Sequence, residues 1–298
     1  MVDSQQAQLM SQPSPADTLS VGLLQTAPVF GQVEANIRRI LELRDDLSDD
    51  VDLVLTPELA VNGFGFDAEA DYRPLSADEE RLTAFANRRG AMGIGFAETV
   101  GEGRPRNAYL ITGREERHLQ HKIHPVSYAP WNEHLGFEAG DALGTAVIRG
   151  ARCATVICND MWHPVIPWLA AQAGAEVLII PVASIEGANA AQVQRTWQVI
   201  LEHAALLLQC YVVFINRCGT DSGARFWGGS RVLGPDGTTL ARAGERETTL
   251  RATLDLAALR ALRARTPILD ESRHDVVLKA LIRHPLSEAV PEGHDPIV

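Results

Sequence analysis

ARCATVICNDMWHPVIPWLAAQAGAEVLIIPV, residues 151–182, is the stretch from which the fold is read. Ala151–Cys158 is an apolar run that ends abruptly at polar Asn159 and Asp160. Val165–Ala173 reads as a helix, closed by Gly174, the residue type that most easily leaves a helix through a left-handed turn. Glu176–Val182 is a second run with no polar residue after its first position. Strand, helix and a strand apolar on both faces are the parts of a βαβ unit, in which helices cover a buried sheet. The expected fold class is therefore α/β.

The same alternation extends outward in both directions. Upstream, Leu19–Gln25 and Val51–Thr56 read as strands, with Val33–Leu47 as an amphipathic helix between them and Ser76–Arg89 as another helix after them. Ala91–Glu98 and Asn107–Thr112 read as an antiparallel pair joined by the turn GEGRP, and Thr145–Ile148 pairs with Ala151–Cys158 through Gly150. Downstream, Ala190–Gln209 is a long apolar helix and Tyr211–Asn216 (YVVFIN) a buried strand. Gly229–Leu233, Thr238–Ala243 and Thr248–Leu254 read as a β-meander turned at Pro235–Gly237. Leu256–Arg263 is the last expected helix.

The 298 residues are 46% hydrophobic and 22% charged, which supports one sizeable core. A net charge of −11 and the lack of any long basic run argue against nucleic acid or anionic membrane as partners. No apolar run reaches the roughly 20 residues that span a bilayer. Residues 1–18 are polar, lack a basic start and an apolar segment, and are expected to be a disordered tail; 285–298 is expected to be a second tail. The four cysteines (Cys153, Cys158, Cys210 and Cys218) form no CxxC and no zinc spacing. Reduced thiols in a cytoplasmic protein are the simpler reading.

Three polar residues stand at or near strand ends, where α/β sheets place their sites. They are Glu58 in LVLTPELAVNG, Lys122 in HLQHKIHPVSY and Cys158 in ATVICNDMWHP. Each has a bland alternative: a loop carboxylate, a solvated lysine, a core thiol. A thiol acts as a nucleophile only with a base or a neighbouring cation. His163 and His203 are candidate bases, but neither sits in an orienting Asn or Asp pattern. A Glu–Lys pair is the other solution, with a carboxylate as base and an ammonium to hold negative charge.

The order and context of Glu58, Lys122 and Cys158 resemble the nitrilase (carbon–nitrogen hydrolase) superfamily. The resemblance runs from about Leu19 to Leu259. It is carried by PELAVNG (57–63), HKIHPVSYAPWNEHLGFEAGD (121–141), CNDMWHP (158–164), GAEVLIIPVAS (174–184), YVVFINRCG (211–219) and GGSRVLGPDG (228–237). It implies a four-layer αββα sandwich over residues 19–284, with pairing into a homodimer or a higher homo-oligomer. It also implies a cysteine-dependent amidohydrolase that needs no metal or cofactor and acts on a small-molecule amide.

In that reading Glu58 is the base, Cys158 the nucleophile, and Lys122 the oxyanion partner together with the backbone N–H of Asn159. Glu133 is the second carboxylate, which orients Lys122 or the substrate. The flanking residues Phe64, Tyr128, Trp131, Trp162, His163, Ser184 and Trp227 are expected to meet the substrate, and Asp160 to tie the nucleophile turn to nearby backbone. Asn159 stands where nitrilases carry Trp, which favours amides over nitriles. Cys-Asn-Asp is also reminiscent of N-carbamoyl amino acid amidases, while Cys-x-Asp-x-Trp-x-Pro looks closer to the glutaminase domain of NAD synthetases. Leu206, Leu207 and Leu208 replace charges that the family often carries before YVVFIN, which points to an altered dimer face or pocket floor. A non-catalytic relative that keeps the fold, and acyl transfer to an amine acceptor, are the competing readings.

Overall fold

The stretch 151–182 folds as a strand, a helix and a parallel strand, in a computed structural model that describes residues 17–66, 70–86 and 90–283. The strands are β1 (Thr18–Gln25), β2 (Leu53–Leu55), β3 (Ala91–Glu98), β4 (Arg106–Thr112), β5 (Arg117–His121), β6 (Ala146–Ile148) and β7 (Ala151–Thr155). They continue as β8 (Val177–Val182), β9 (Tyr211–Asn216), β10 (Cys218–Asp221), β11 (Ala224–Trp227), β12 (Arg231–Leu233), β13 (Thr239–Arg242) and β14 (Thr248–Asp255). The helices are α1 (Val33–Asp45), α2 (Glu80–Thr83), α3 (Glu133–Gly136), α4 (Val165–Gln172), α5 (Ala190–Leu207), α6 (Leu256–Arg265) and α7 (His274–Arg283).

Two six-stranded sheets form, in the orders β14-β1-β2-β3-β4-β5 and β13-β12-β9-β8-β7-β6. Their facing sides bury one apolar layer, with Leu23, Leu55, Cys153, Ile179 and Val213 among its members. The outer side of the first sheet is covered by α1 and the segment around α2, through Ile37, Ile40, Leu82 and Phe85. The outer side of the second is covered by α4 and α5, through Ile166, Ala170, Trp197 and Leu201. The central strands β8 and β9 are buried along their full length, which is why their sequences show no alternation. The result is the expected αββα sandwich.

Several local expectations change. Only Glu80–Thr83 is helical within the expected helix 76–89, of which 87–89 lie outside the described residues. That short turn is enough to bury Leu82 and Phe85, the two apolar anchors of the segment. The expected meander is split: β12 and β13 pair, but β14 crosses to the other sheet and pairs antiparallel with β1 over its whole length. Gln25 fastens the crossing, its side-chain amide donating to the carbonyls of Gly244 and Arg246 at 2.8 and 2.7 Å. The last strand thus seals the edge of the first sheet. The tail expected over 1–18 ends earlier, since Thr18 already pairs with Asp255; residues 1–16 and 285–298 lie outside the described residues. Sequence periodicity also missed β5, the β10–β11 hairpin and α7.

Parallel strands β2, β7 and β8 all end on one side of the sandwich, and the loops that follow them converge there. Glu58, Cys158 and Ala183 stand on those loops, three residues or fewer past their strands.

Candidate active site

Glu58 is held by its own loop. Pro57 and the reversal at Leu59 (φ 50°) end β2, and Thr56 hangs the segment on β3 by donating its backbone N–H to Gly93 at 2.9 Å. Gly95 is what lets the loop lie so close. A Cβ there would stand 2.3 Å from the Pro57 carbonyl oxygen and 2.7 Å from the Leu59 nitrogen. The Glu58 side chain is 1% exposed, and both its oxygens are bonded. Oε1 accepts from Lys122 Nζ and from Asn107 Nδ2, each at 2.8 Å, and Oε2 accepts from the Ala183 backbone N–H at 2.8 Å.

Lys122 follows β5 and is also 1% exposed. Its backbone is pinned on both sides: the N–H donates to Asn107 at 2.8 Å and the carbonyl accepts from Gly140 at 2.7 Å. Its ammonium bridges Glu58 and Glu133, reaching Glu133 oxygens at 2.9 and 2.6 Å. Glu133 opens the short helix α3, and its Oε2 accepts from the Val126 N–H at 2.9 Å. Burial opposes the charge on Lys122, yet Glu133 and Glu58 together hold its pKa well above the usual lysine range. Burial pushes the Glu133 carboxyl upward, against the pull of Lys122. Two carboxyl groups and one ammonium thus share one dry cluster.

Cys158 starts a single 3-10 turn, Cys158–Trp162, rather than ending β7, which stops at Thr155. Its φ is +47°, a left-handed conformation that costs a non-glycine residue on the order of 1–3 kcal/mol and that clusters at functional sites. Asp160 fixes the turn as expected: its carboxylate accepts from the backbone N–H groups of Ile123 and His124 at 3.0 and 2.7 Å. The Cys158 turn and the lysine loop are therefore one unit. The thiol sits well above its ordinary pKa, first because the surrounding protein desolvates it and then because of the Glu58 charge, with Lys122 and the Ala183 N–H pulling the other way. The other three cysteines are buried; Cys153 lies in the inter-sheet core.

A cavity of about 520 Å³ opens above this cluster and is lined by Cys158, Glu133, Asn159, Tyr128, Trp131, Trp162 and Ser184. Size and apolar lining suit a small organic ligand. Of the expected contacts, Phe64, His163 and Trp227 are not on this wall. Phe64 is buried behind Trp131, with ring centroids 5.6 Å apart. His163 stacks on His124 at 3.7 Å beside the Asp160 anchor. Trp227 is 1% exposed and uses its indole N–H to reach Ser184 Oγ at 3.0 Å. An aromatic side chain next to a motif shows that it is buried, not which side of a wall it stands on. Asn107 escaped the sequence reading, although an Asn inside the strand RNAYLIT is a visible polar interruption. The Ala183 and Val126 N–H groups leave no trace in side-chain identity.

Comparison with known proteins places this arrangement. Residues 20–264 match the model of the carbon-nitrogen hydrolase family. The chain is 31% identical over 261 residues to an (R)-stereoselective amidase of a Pseudomonas species, across 86% of this chain and 92% of that protein. Its fold is similar to a carbon-nitrogen hydrolase from Helicobacter pylori G27, with a TM-score of 0.79 at 21% identity, over 89% of this chain and 98% of the other. It is also similar to a glutamine-dependent NAD+ synthetase from Acinetobacter baumannii, with a TM-score of 0.72 at 22% identity, over 81% of this chain but 46% of that one. The protein belongs to the carbon–nitrogen hydrolase family.

Proposed function

We propose that this chain is an amidohydrolase that cleaves small-molecule carboxamides through a thioester on Cys158. The observation that carries the reading is the buried Glu58–Lys122–Glu133 cluster, which reaches through Glu133 the wall of a cavity that Cys158 also lines. The similarity to an amidase over most of both chains supports the same reaction class.

The chemistry runs on these groups alone. Glu58 takes the thiol proton as Cys158 Sγ bonds to the substrate carbonyl carbon. The carbonyl π electrons move to oxygen, which is held by the Lys122 ammonium and the Asn159 backbone N–H; one such donor is worth about 3–4 kcal/mol of transition-state stabilisation. Glu58 passes its proton to the nitrogen, the C–N bond breaks, and ammonia or an amine leaves. Water then attacks the thioester carbonyl, losing its proton to Glu58, and the thiol departs with that proton. A thiol with a raised pKa fits this sequence, because proton transfer accompanies attack instead of preceding it. Glu133 keeps the lysine charged and aimed.

The protein is proposed to work as a homodimer. The outer side of α4 and α5 exposes Val165, Leu169, Val199, Leu206 and Leu207, and an apolar groove of about 710 Å³ runs beside it. Of the three leucines that stand in place of expected charges, Leu206 and Leu207 thus face outward while Leu208 is buried, and contiguous apolar surface of this kind marks an interface. Among the described residues, no helix is long and apolar enough to cross a membrane.

Three outcomes are expected. The wild-type chain releases ammonia from members of a carboxamide panel, and Cys158→Ala releases none; residual activity in that variant contradicts the thioester. Iodoacetamide alkylation of Cys158 has its pH midpoint above that of an ordinary thiol in the wild type. In Glu58→Gln, removal of the negative charge lowers that midpoint while amide turnover is lost, and an unchanged or higher midpoint contradicts the electrostatic assignment. Light scattering gives the mass of a dimer for the wild type and of a monomer for Leu169→Asp/Leu206→Asp.

A further inference from the structure

We propose that the cavity selects uncharged, largely apolar acyl groups and rejects carboxamides that also carry a carboxylate. The inference rests on the amidase reading above and names its substrate class. Its basis is the wall beyond the reacting cluster.

That wall is built mainly from Tyr128, Trp131, Trp162, Trp197, Ile185 and Val193. Among the described residues that line it, no Lys, Arg or His occurs. Its polar groups past the reacting cluster are neutral: the side-chain amides of Asn159, Asn189 and Gln192 and the Ser184 hydroxyl. Ser184 Oγ accepts from the indole N–H groups of Trp197 and Trp227 at 3.1 and 3.0 Å. An indole can only donate, so Ser184 has just its own proton to offer a ligand. A carboxylate would find no cation here.

Of the nearby cations among the described residues, Arg195 on α5 is exposed and does not line the wall. Arg225 stands beside the wall but is paired with Glu186 at 3.0 Å and Glu245 at 2.7 Å. Residues 1–16, 67–69 and 284–298 contain no Lys or Arg. Among the described residues the ammonium nearest the reacting cluster is Lys122, already shared between Glu58 and Glu133. With two carboxyl groups on this one ammonium, it has no spare charge for another anion.

One feature acts in the opposite sense. The N-terminus of the 18-residue helix α5 opens on the cavity through Asn189 and Gln192. Its first turn is already capped, with Asn189 Oδ1 accepting from the Gln192 N–H at 3.1 Å. A helix end attracts an anion by about fivefold, which is small beside the cost of moving an unpaired carboxylate out of water.

The test compares glutaramate, the monoamide of a five-carbon dicarboxylic acid, with its neutral isostere 5-methylhexanamide. Ammonia release by the wild type gives kcat/KM for each, and calorimetry on Cys158→Ala gives binding without turnover. The neutral amide is expected to be favoured by about 100-fold in both measurements, because a site rejects a ligand whose charge it leaves unpaired. Gln192→Arg, at an exposed wall position whose side chain bonds nothing among the described residues, is expected to shift the ratio toward glutaramate by about 10-fold. Equal or better handling of glutaramate in the unsubstituted cavity overturns the proposal and leaves the amidase reading intact. Selective binding of the neutral amide with no ammonia released by the wild type upholds the selectivity and removes the amidase reading. Failure of both amides to bind and to react overturns both.

Discussion

The ammonium of Lys122, closed between Glu58 and Glu133 at 2.8 and 2.6 Å and shut off from water, is the contact on which the rest of the site depends. Such a cluster is not a stabilising device. Dehydrating three ionisable groups costs several kcal/mol each, and apolar side chains of similar volume often hold a core equally well. It persists because every remaining lone pair on the two carboxylates that matters is met by a fixed donor: Asn107, the Ala183 N–H and the Val126 N–H. These donors come from different elements, β4, the end of β8 and the loop before α3. Both sheets must therefore be in register before the cluster can form. Fold and chemistry meet at that point.

The thiol's position follows from the same constraint. Cys158 is placed by a strained turn whose Asp160 is bonded to the backbone right after Lys122. Thiol and ammonium are therefore carried by one bonded backbone unit. Desolvation and the Glu58 charge raise the thiol's pKa, the opposite of the lowering that a histidine partner gives a stored thiolate. His163, the histidine nearest in sequence, is instead stacked on His124 next to the Asp160 anchor.

Much of this was legible in the sequence, for definable reasons. Apolar runs such as EVLIIPV and YVVFIN declare central strands because both faces are buried. Glu58, Lys122 and Cys158 are visible because polar residues stand at or near the ends of apolar runs, and their order matches a family pattern, which alone points to Glu133. Asp160 was read as an anchor and bonds as one. What the sequence hid depends on distance in space. β14 reads as a continuation of the β12–β13 hairpin, but its partner is β1, more than 200 residues away. Trp227 and Phe64 sit in motifs beside the site, yet they turn into the packing behind it, since an aromatic ring serves either side of a wall equally. The backbone donors to Glu58 and Glu133 carry no side-chain signature at all.

In the proposed reading the wall above the cluster sets what reaches the thiol, and the cluster sets what happens there. The most direct test of that second statement is the covalent state of Cys158 during turnover. The wild-type chain, acid-quenched within the first turnover of a hydrolysed carboxamide, is predicted to carry one acyl group. Peptide mapping should place it on the peptide that contains Cys158, and hydroxylamine should remove it. Ammonia release with no acyl adduct at any quench time, or an adduct on Cys153, Cys210 or Cys218 in place of Cys158, would contradict the account.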